Sequence, residues 1–470
     1  MTQADALNIL KTGANVFLTG EPGSGKTFTV NEYAAYLRQR GIEPSITAST
    51  GIAATHLGGL TIHSWTGIGI RDFLSKSDIS AILGKSYITK RMEAAHVLII
   101  DEVSMLSPQT LNLVDTVCRA VRKNPLPFGG LQVIFVGDFF QLPPVIKEES
   151  VFNPQTLLFQ EPVGKFAFES MAWRNAKPVV CYLTEQHRQD DTDFLGILSA
   201  IRRNEFTADH QVFLRERRIL PNHAPDRVPT LFAHNHDVDR INKQMLAKIP
   251  GERHGFAMKD EGKPVLIDIL KKGCLSPEEL HLKIDATVMF TKNNPKEGFV
   301  NGTLGGVEGF QKESKRPIIK TRTGLRITVE PMTWAVEENG KTLAKLTQLP
   351  LRLAWAITVH KSQGMSLDAA VMDLSSVFEF GQGYVALSRV RRLSGLFLLG
   401  WNERAFEVHP EILIQDRVFR SSAEDAQNEY GRIPRDELQE IQERFLLSCD
   451  GTPLTAPKKR KKKISKTKSK

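Results

Sequence analysis

The sequence predicts an α/β protein made of two tandem lobes, each a parallel sheet flanked by helices. Two observations predict it. Short, continuous apolar runs of strand length alternate with helical stretches, as expected of strands covered on both faces. Several of these runs end abruptly at Gly, Asp, Ser or Thr, and in open parallel sheets ligands bind beyond the carboxyl ends of the strands. At 470 residues the chain is too long for one compact domain.

The first set of runs is Asn15–Gly20, Pro44–Ser49, His96–Asp101 and Leu131–Asp138, with helical patterns at Thr27–Arg40 and Gln109–Lys123 between them. Residues 66–95 have weak strand signal and read as a small excursion from this lobe, which is assigned 1–180. A second set is expected to begin near Val179–Leu183 and to include Thr230–Asn235, Leu351–His360, Ala369–Leu374 and Leu393–Gly400. The second lobe is thus assigned 181–270 and 351–423. Residues 271–350 alternate in short segments and predict a small β-rich insert. A helical segment is assigned to 424–450 and a basic tail to 451–470.

Composition excludes some classes. No apolar run approaches the ~18 residues of a membrane span, and the N-terminus lacks the basic start and apolar stretch of a signal peptide. A cytoplasmic, nucleoid-associated location is expected in a bacterium, and the tail would permit nuclear import in a eukaryote. Cys118, Cys181, Cys274 and Cys449 form no CxxC pair, which argues against a disulfide framework or zinc site. The formal charge is +9, but Lys458–Lys470 alone carries nine cations and no acid. Without it the chain holds 53 basic and 53 acidic residues, so net charge says nothing of the body's function. The tail reads either as a nonspecific nucleic-acid arm or as a solvated end.

The chemistry lies at the strand ends. Gly20-Glu-Pro-Gly-Ser-Gly-Lys-Thr27 fits the GxxxxGK[ST] phosphate loop between a strand and a helix. Gly20, Pro22, Gly23, Ser24 and Gly25 would let backbone N–H groups wrap phosphates, with Phe28 in the first helical turn. Lys26 would reach the β/γ oxygens and Thr27 would ligate Mg²⁺. Asp101-Glu102 ends a buried strand, where carboxylates are costly unless paired or bound to a cation. Asp101 would hold Mg²⁺ through water and Glu102 would polarise the attacking water. Gln141, in Gly137–Val145 at the next strand end, is placed to sense the γ-phosphate, on a turn stiffened by Pro143 and Pro144.

With these motifs in order, the chain resembles superfamily 1 helicases of the 5′-to-3′ branch, the PIF-type and RecD-like enzymes, over roughly residues 3 to 400. Gln3 resembles the adenine-reading glutamine. Thr47–Gly67 resembles the strand-contacting motif, Pro108–Gly130 the segment distinctive of the PIF branch, and Glu185–Arg188, Ala354–Asp368 and Tyr384–Arg389 the later motifs. The resemblance implies two RecA-like P-loop domains, a wedge-like element in 66–95, and an SH3-like β-barrel entered at Asn293 and Asn301-Gly302-Thr303. It also implies ATP and Mg²⁺ as cofactors, and single-stranded DNA and its junctions with duplex as partners, bound by a monomer.

A motor needs hydrolysis to depend on closing its lobes, so the second lobe should bring cations to the triphosphate. Arg188 and Arg389 are the candidates, with Gln363 and Gly364 near the same interface. For the DNA strand, Thr50, Gly51, His63 and Ser64 are expected from the first lobe, and Thr358, His360, Lys361 and Ser362 from the second. Each histidine also has the plainer reading of a core or capping residue. A protein-remodelling ATPase and a clamp without turnover are the rival classes. Stimulation of ATPase by single-stranded DNA separates the first, and loss of turnover in Lys26→Ala the second.

Overall fold

Hydrophobic patterning of the first half resolves into one six-stranded parallel sheet. Its strands are β1 (Val16–Gly20), β2 (Ser45–Ala48), β3 (Leu60–Thr61), β4 (Val97–Asp101), β5 (Gln132–Val136) and β6 (Val179–Leu183), in the order β3-β2-β4-β5-β1-β6. The structure is a computed structural model. It describes residues 1–56, 59–69, 71, 73–144, 164–185, 191–232, 238–338, 341–359, 362 and 366–453. All five residues of β1 and of β5 are buried, as strands covered on both faces require. The covering helices include α1 (Gln3–Leu10), α2 (Lys26–Arg38), α3 (Gly51–His56) and, in the 66–95 excursion and just before it, α4 (Ile62–Thr66), α5 (Lys76–Leu83) and α6 (Ser86–Ala94). Helix α7 (Pro108–Arg122) starts with Ser107 accepting from Thr110 N–H and Pro108 in its first turn, and α8 (Met171–Ala176) leads into β6.

Val179–Leu183 was expected to open the second lobe. It is instead the edge strand of the first sheet, pairing in parallel with β1 from Val16↔Val179 to Gly20↔Leu183. Apolar patterning identifies a strand but not the sheet it joins, because pairing is a long-range choice.

The second lobe carries α9 (Thr192–Arg203), α10 (Ala208–Arg215) and four parallel strands. These are β7 (Thr230–Phe232), β18 (Ala356–Thr358), β19 (Ala370–Leu374) and β20 (Leu396–Trp401), in the order β18-β7-β19-β20. Helix α11 (Val238–Lys248) covers the edge, where Asn242 acts like a strand. Its Oδ1 accepts from the N–H groups of Trp355 and Ala356 at 3.0 Å, and its Nδ2 donates to Ala356 O at 3.0 Å.

Between β7 and β18 the chain is antiparallel throughout. Strands β8 (His254–Ala257) and β10 (Glu279–Leu282) pair together, and β9 (Lys259–Gly262) joins β15 (Met332–Glu338) and β16 (Lys341–Gln348). The third sheet is β14-β13-β12-β11-β17, built from Arg326–Thr328, Pro317–Thr321, Leu304–Phe310, Thr287–Phe290 and Leu351–Leu353. The region expected to be an SH3-like barrel is therefore built from three small sheets. Leu280, Val288, Phe290, Val307, Ile319 and Leu351 form its own core. It begins near His254 rather than at 271, and Leu351–Leu353 belongs to it through pairing with Val288–Phe290. Helix α12 (Pro264–Gly273) packs on the β9-β15-β16 sheet of this insert and on α3 of the first lobe.

After α13 (Gln382–Leu387) and β20, helix α14 (Pro410–Arg432) starts well before the expected position 424 and packs on β6. Helix α15 (Arg435–Ser448) also returns to the first lobe. Gln442 Nε2 donates to Asn8 O at 3.1 Å, and the Phe445 ring occupies the space where Gly13 would carry a side chain. Helices α14 and α15 therefore tie the chain that follows the second lobe back to the first.

Candidate active site

The phosphate loop is shaped by glycines where side chains cannot go. Gly20, Gly23 and Gly25 have positive φ values of 148°, 93° and 86°, and α2 begins at Lys26. Such a loop presents successive N–H groups at a helix N-terminus, the geometry that binds phosphate. Lys26 Nζ donates to Gly20 O at 2.8 Å and Glu21 O at 3.1 Å. Burial lowers its proton affinity, and the field of Asp138 opposes that most strongly. Thr27 and Phe28 are exposed at the loop's mouth. Gln3 is held beside the loop: its Nε2 donates to Ser24 O at 3.2 Å and its backbone N–H to Glu185 Oε2 at 2.9 Å.

At the end of β4, Glu102 takes a left-handed backbone (φ 52°), a conformation that costs a non-glycine residue energy and recurs at active sites. Its N–H donates to Asp101 Oδ1 at 2.9 Å. Asp101 remains partly open to solvent yet is surrounded by protein, and burial followed by the charge of Glu102 pushes its pKa up to about 7. Gln141 follows β5 in a turn closed by its N–H donating to Asp138 O at 3.0 Å. Ser24 Oγ, Asp138 Oδ2 and Gln141 Oε1 are buried with no hydrogen-bond partner among the described residues. Such oxygens, on the glycine loop and on the turn after β5, suit a site made to receive a hydrogen-bonding ligand.

The second half of the chain reaches this site at several points. Ser199 Oγ donates to Glu21 Oε2 of the loop at 3.0 Å. Gly381, just before α13, packs directly against Phe140 O. Arg389, after α13, is buried, with Nε donating to Val385 O at 2.9 Å, Nη2 to Ser388 Oγ at 2.9 Å and Nη1 to Ser362 O at 3.4 Å. Burial disfavours its charge, and the field of Glu102 is the largest one supporting it, followed by Tyr384 and Asp138. Arg389 thus lies within the electrostatic reach of the first lobe's carboxylates. Arg188, Gln363, Gly364, His360 and Lys361 lie outside the described residues. Leu183, at the end of β6, abuts the loop, its carbonyl lying against Gly20.

The residues expected to meet DNA are less uniform. Thr50 Oγ1 accepts from Ala53 N–H at 3.2 Å and Gly51 opens α3. His63 is half-buried, which lowers its pKa, and Ser64 Oγ accepts from Thr61 Oγ1 at 2.9 Å. Thr358 and Ser362, by contrast, are buried, and Ser362 spends its hydroxyl on Val359 O at 2.7 Å. Thr358 ends β18 and Ser362 follows it closely, its carbonyl accepting from Arg389, so neither of these two side chains faces solvent.

Sequence reasoning missed Arg202, which is 1% exposed and binds Asp138, Tyr182 and Tyr384. A signal was present. Phe194, Leu198 and Arg202 repeat every fourth residue of α9, which sets the arginine on the apolar face.

A nucleotide in the glycine loop would be read by both lobes at once, which defines a two-lobed P-loop motor of the helicase class. Known proteins narrow that class. The model of the PIF1-like helicase family matches residues 3–206, and that of the DNA helicase Pif1 2B domain matches residues 266–310. The ATP-dependent DNA helicase Pif1 of Psychrobacter sp. (strain PRwf-1) is 41% identical over 96% of this chain and 76% of its own. The ATP-dependent DNA helicase PIF1 of Xenopus laevis is 36% identical over 87% of this chain, which spans 63% of that longer relative. Among solved structures, Bacteroides sp Pif1 in complex with ADP-AlF4 is 30% identical with a TM-score of 0.73, covering 89% of this chain and 96% of that one. The chain belongs to the PIF1-like helicase family.

Proposed function

We propose that this ATP-dependent DNA helicase travels 5′ to 3′ on single-stranded DNA and hydrolyses ATP at the seam between its lobes. Gln3 selects adenine, and the loop N–H groups cradle the phosphates. Lys26 exchanges its bonds to Gly20 O and Glu21 O for phosphate oxygens. Thr27 and Asp101 are oxygen donors that fit Mg²⁺, and their partial exposure leaves it room to keep water; when bound it neutralises triphosphate charge. Glu102 orients the attacking water and Gln141 follows the γ-phosphate. Arg389, with Arg188, stabilises the charge that spreads in the transition state, a contribution of about 10³–10⁵ in rate where arginines act this way.

The observation that carries this reading is the double attachment of Arg389. One of its nitrogens donates to Ser362 O in the loop after β18, while its charge is held by the field of Glu102 across the seam. A change at the phosphates therefore reaches the segment proposed to hold DNA through a single side chain. The direction of travel is supported by the resemblance of Pro108–Gly130 to the segment of the PIF branch.

The test is unwinding of duplexes carrying a 5′ or a 3′ single-stranded overhang, with and without ATP, beside a Lys26→Ala control. Only the 5′-tailed duplex should open, only with ATP, and not with the control. Preference for the 3′ tail overturns the direction, and normal turnover by Lys26→Ala overturns the site.

A further inference from the structure

One buried charge joins four other parts of the chain. Arg202, near the end of α9, donates through Nη1 to Asp138 Oδ1 at 2.7 Å and to Tyr384 Oη at 3.3 Å. Through Nη2 it donates to Tyr182 Oη at 2.9 Å and approaches Asp416 Oδ1 at 3.6 Å. Its guanidinium carbon stands 4.1 Å from the centre of the Phe140 ring. Asp138 and Phe140 belong to the turn that carries Gln141. Tyr384 belongs to the helix that leads to Arg389, and Asp416 to α14. Tyr182 closes the circuit: its hydroxyl donates to Asp416 Oδ1 at 3.1 Å and accepts from Arg420 Nη2 at 2.7 Å, while Arg420 Nε donates to Asp416 Oδ2 at 2.7 Å.

We propose that Arg202 is a positioning residue for ATP hydrolysis, fixing the Gln141 turn and the Tyr384–Arg389 segment to one another so that the two lobes' phosphate-facing groups assemble together. The proposal rests on the reading of the nucleotide site given above. A purely structural arginine here would be an inefficient choice, because burying an ion pair gains little over apolar packing of the same volume. What the guanidinium supplies is a rigid planar fork able to hold several acceptors in fixed mutual directions, which lysine lacks. The acceptors it selects lie on both sides of the seam. Asp138 Oδ2 has no hydrogen-bond partner among the described residues, and the charge of this carboxylate, bonded to Arg202, also acts on Lys26. Gly381 adds a second contact between the same two segments, since its approach to Phe140 O leaves no space for a side chain. The α14 end of the network makes the C-terminal strap part of the same unit.

The experiment compares Arg202→Lys, Tyr384→Phe and their combination with the full chain. Steady-state ATPase is measured with saturating oligothymidylate, oligothymidylate affinity by fluorescence anisotropy, and folding by thermal melting. Misplaced groups in an assembled site lower turnover by about tenfold to a hundredfold. The expected result is such a loss of kcat in each folded single variant, with ATP KM and DNA affinity moving by less than about threefold. The double variant should lose less than the product of the two, because both cut one network. Wild-type kcat in folded single variants overturns the proposal, as does a full multiplicative loss in the double. Should Arg202→Lys not fold, Tyr384→Phe removes one hydroxyl only and decides alone. Lys26→Ala separates the two failures: if it abolishes turnover while the network variants hydrolyse normally, the site stands and the role of Arg202 falls.

Discussion

Replacing Gly381 by alanine tests whether the two lobes must meet at the Gln141 turn. Gly381 has φ 76°, and a Cβ there would lie 2.6 Å from Phe140 O, about 0.8 Å inside an ordinary 3.4 Å contact. Two costs follow. The left-handed backbone alone costs alanine about 1–2 kcal/mol, which lowers the melting temperature by roughly 2–8 °C for a domain of this size. The clash is with backbone, so it is relieved only by moving the Phe140–Gln141 turn or the start of α13. Displacements of that order cost about a hundredfold when they misalign reacting groups. Gly41→Ala isolates the first cost, because Gly41 has φ 80° and nothing within 4 Å of its would-be Cβ. Both variants should lose similar stability, while only Gly381→Ala loses DNA-stimulated ATPase. Equal, wild-type turnover in both would refute the claim that this contact aligns the site.

Two further outcomes are expected. The pKa of Asp101, raised to about 7, makes ligand-free stability depend on pH. The unfolded carboxyl loses its proton near its ordinary value of about 4, while the folded one keeps it to about 7. Its contribution to stability is complete below the unfolded value and is lost as pH rises through this window. Asp101→Asn should therefore melt higher than the parent at pH 8 without ligand, by a margin that shrinks toward pH 4, while losing Mg²⁺-dependent hydrolysis; a pH-independent difference would contradict this. The second concerns α12, which packs on α3, the helix that Gly51 opens. Leu266 lines the cavity of about 1040 Å³ between the insert and the first lobe, opposite Ile46 and Trp65. Leu266→Asp should loosen that packing and cost about 1–3 kcal/mol of stability, read as a lower melting temperature; an unchanged melting temperature would show that this contact does not hold the insert on the first lobe.

The features legible in the sequence were those written locally. Lys26, Asp101, Glu102 and Gln141 all follow apolar strands, and a parallel sheet brings successive strand ends to one edge whatever the loops do. The β-rich character of the insert was local too. Its edges were not, because β8 and β17 are recognised only by their partners β10 and β11. The same holds for Val179–Leu183, whose composition suits either sheet. Thr358 and Ser362 match their motif as letters, yet both are buried. Arg202 was visible only as a cation on the apolar stripe of α9. Its three acceptors stand 64, 20 and 182 residues away, so no local pattern could have supplied them.

Burial acts on the two charges nearest the proposed phosphates in opposite senses and toward the same end. It lowers the proton affinity of Lys26 and raises that of Asp101, so each is driven toward neutrality. A triphosphate restores charge to the lysine, and a divalent cation restores it to the carboxylate. On the proposed reading neither ligand component alone would satisfy both groups, and the magnesium–nucleotide complex would be favoured over free nucleotide before any contact from the second lobe. Arg389 extends the same logic across the seam. Its charge is disfavoured by burial and supported chiefly by Glu102, so added negative charge at the phosphates strengthens its hold on that interface. Loss of that charge after hydrolysis weakens it. Because the same guanidinium is bonded to Ser362 O, Ser362 would share in both states under the proposed mechanism, and the alternation between them would be the physical content of a motor stroke.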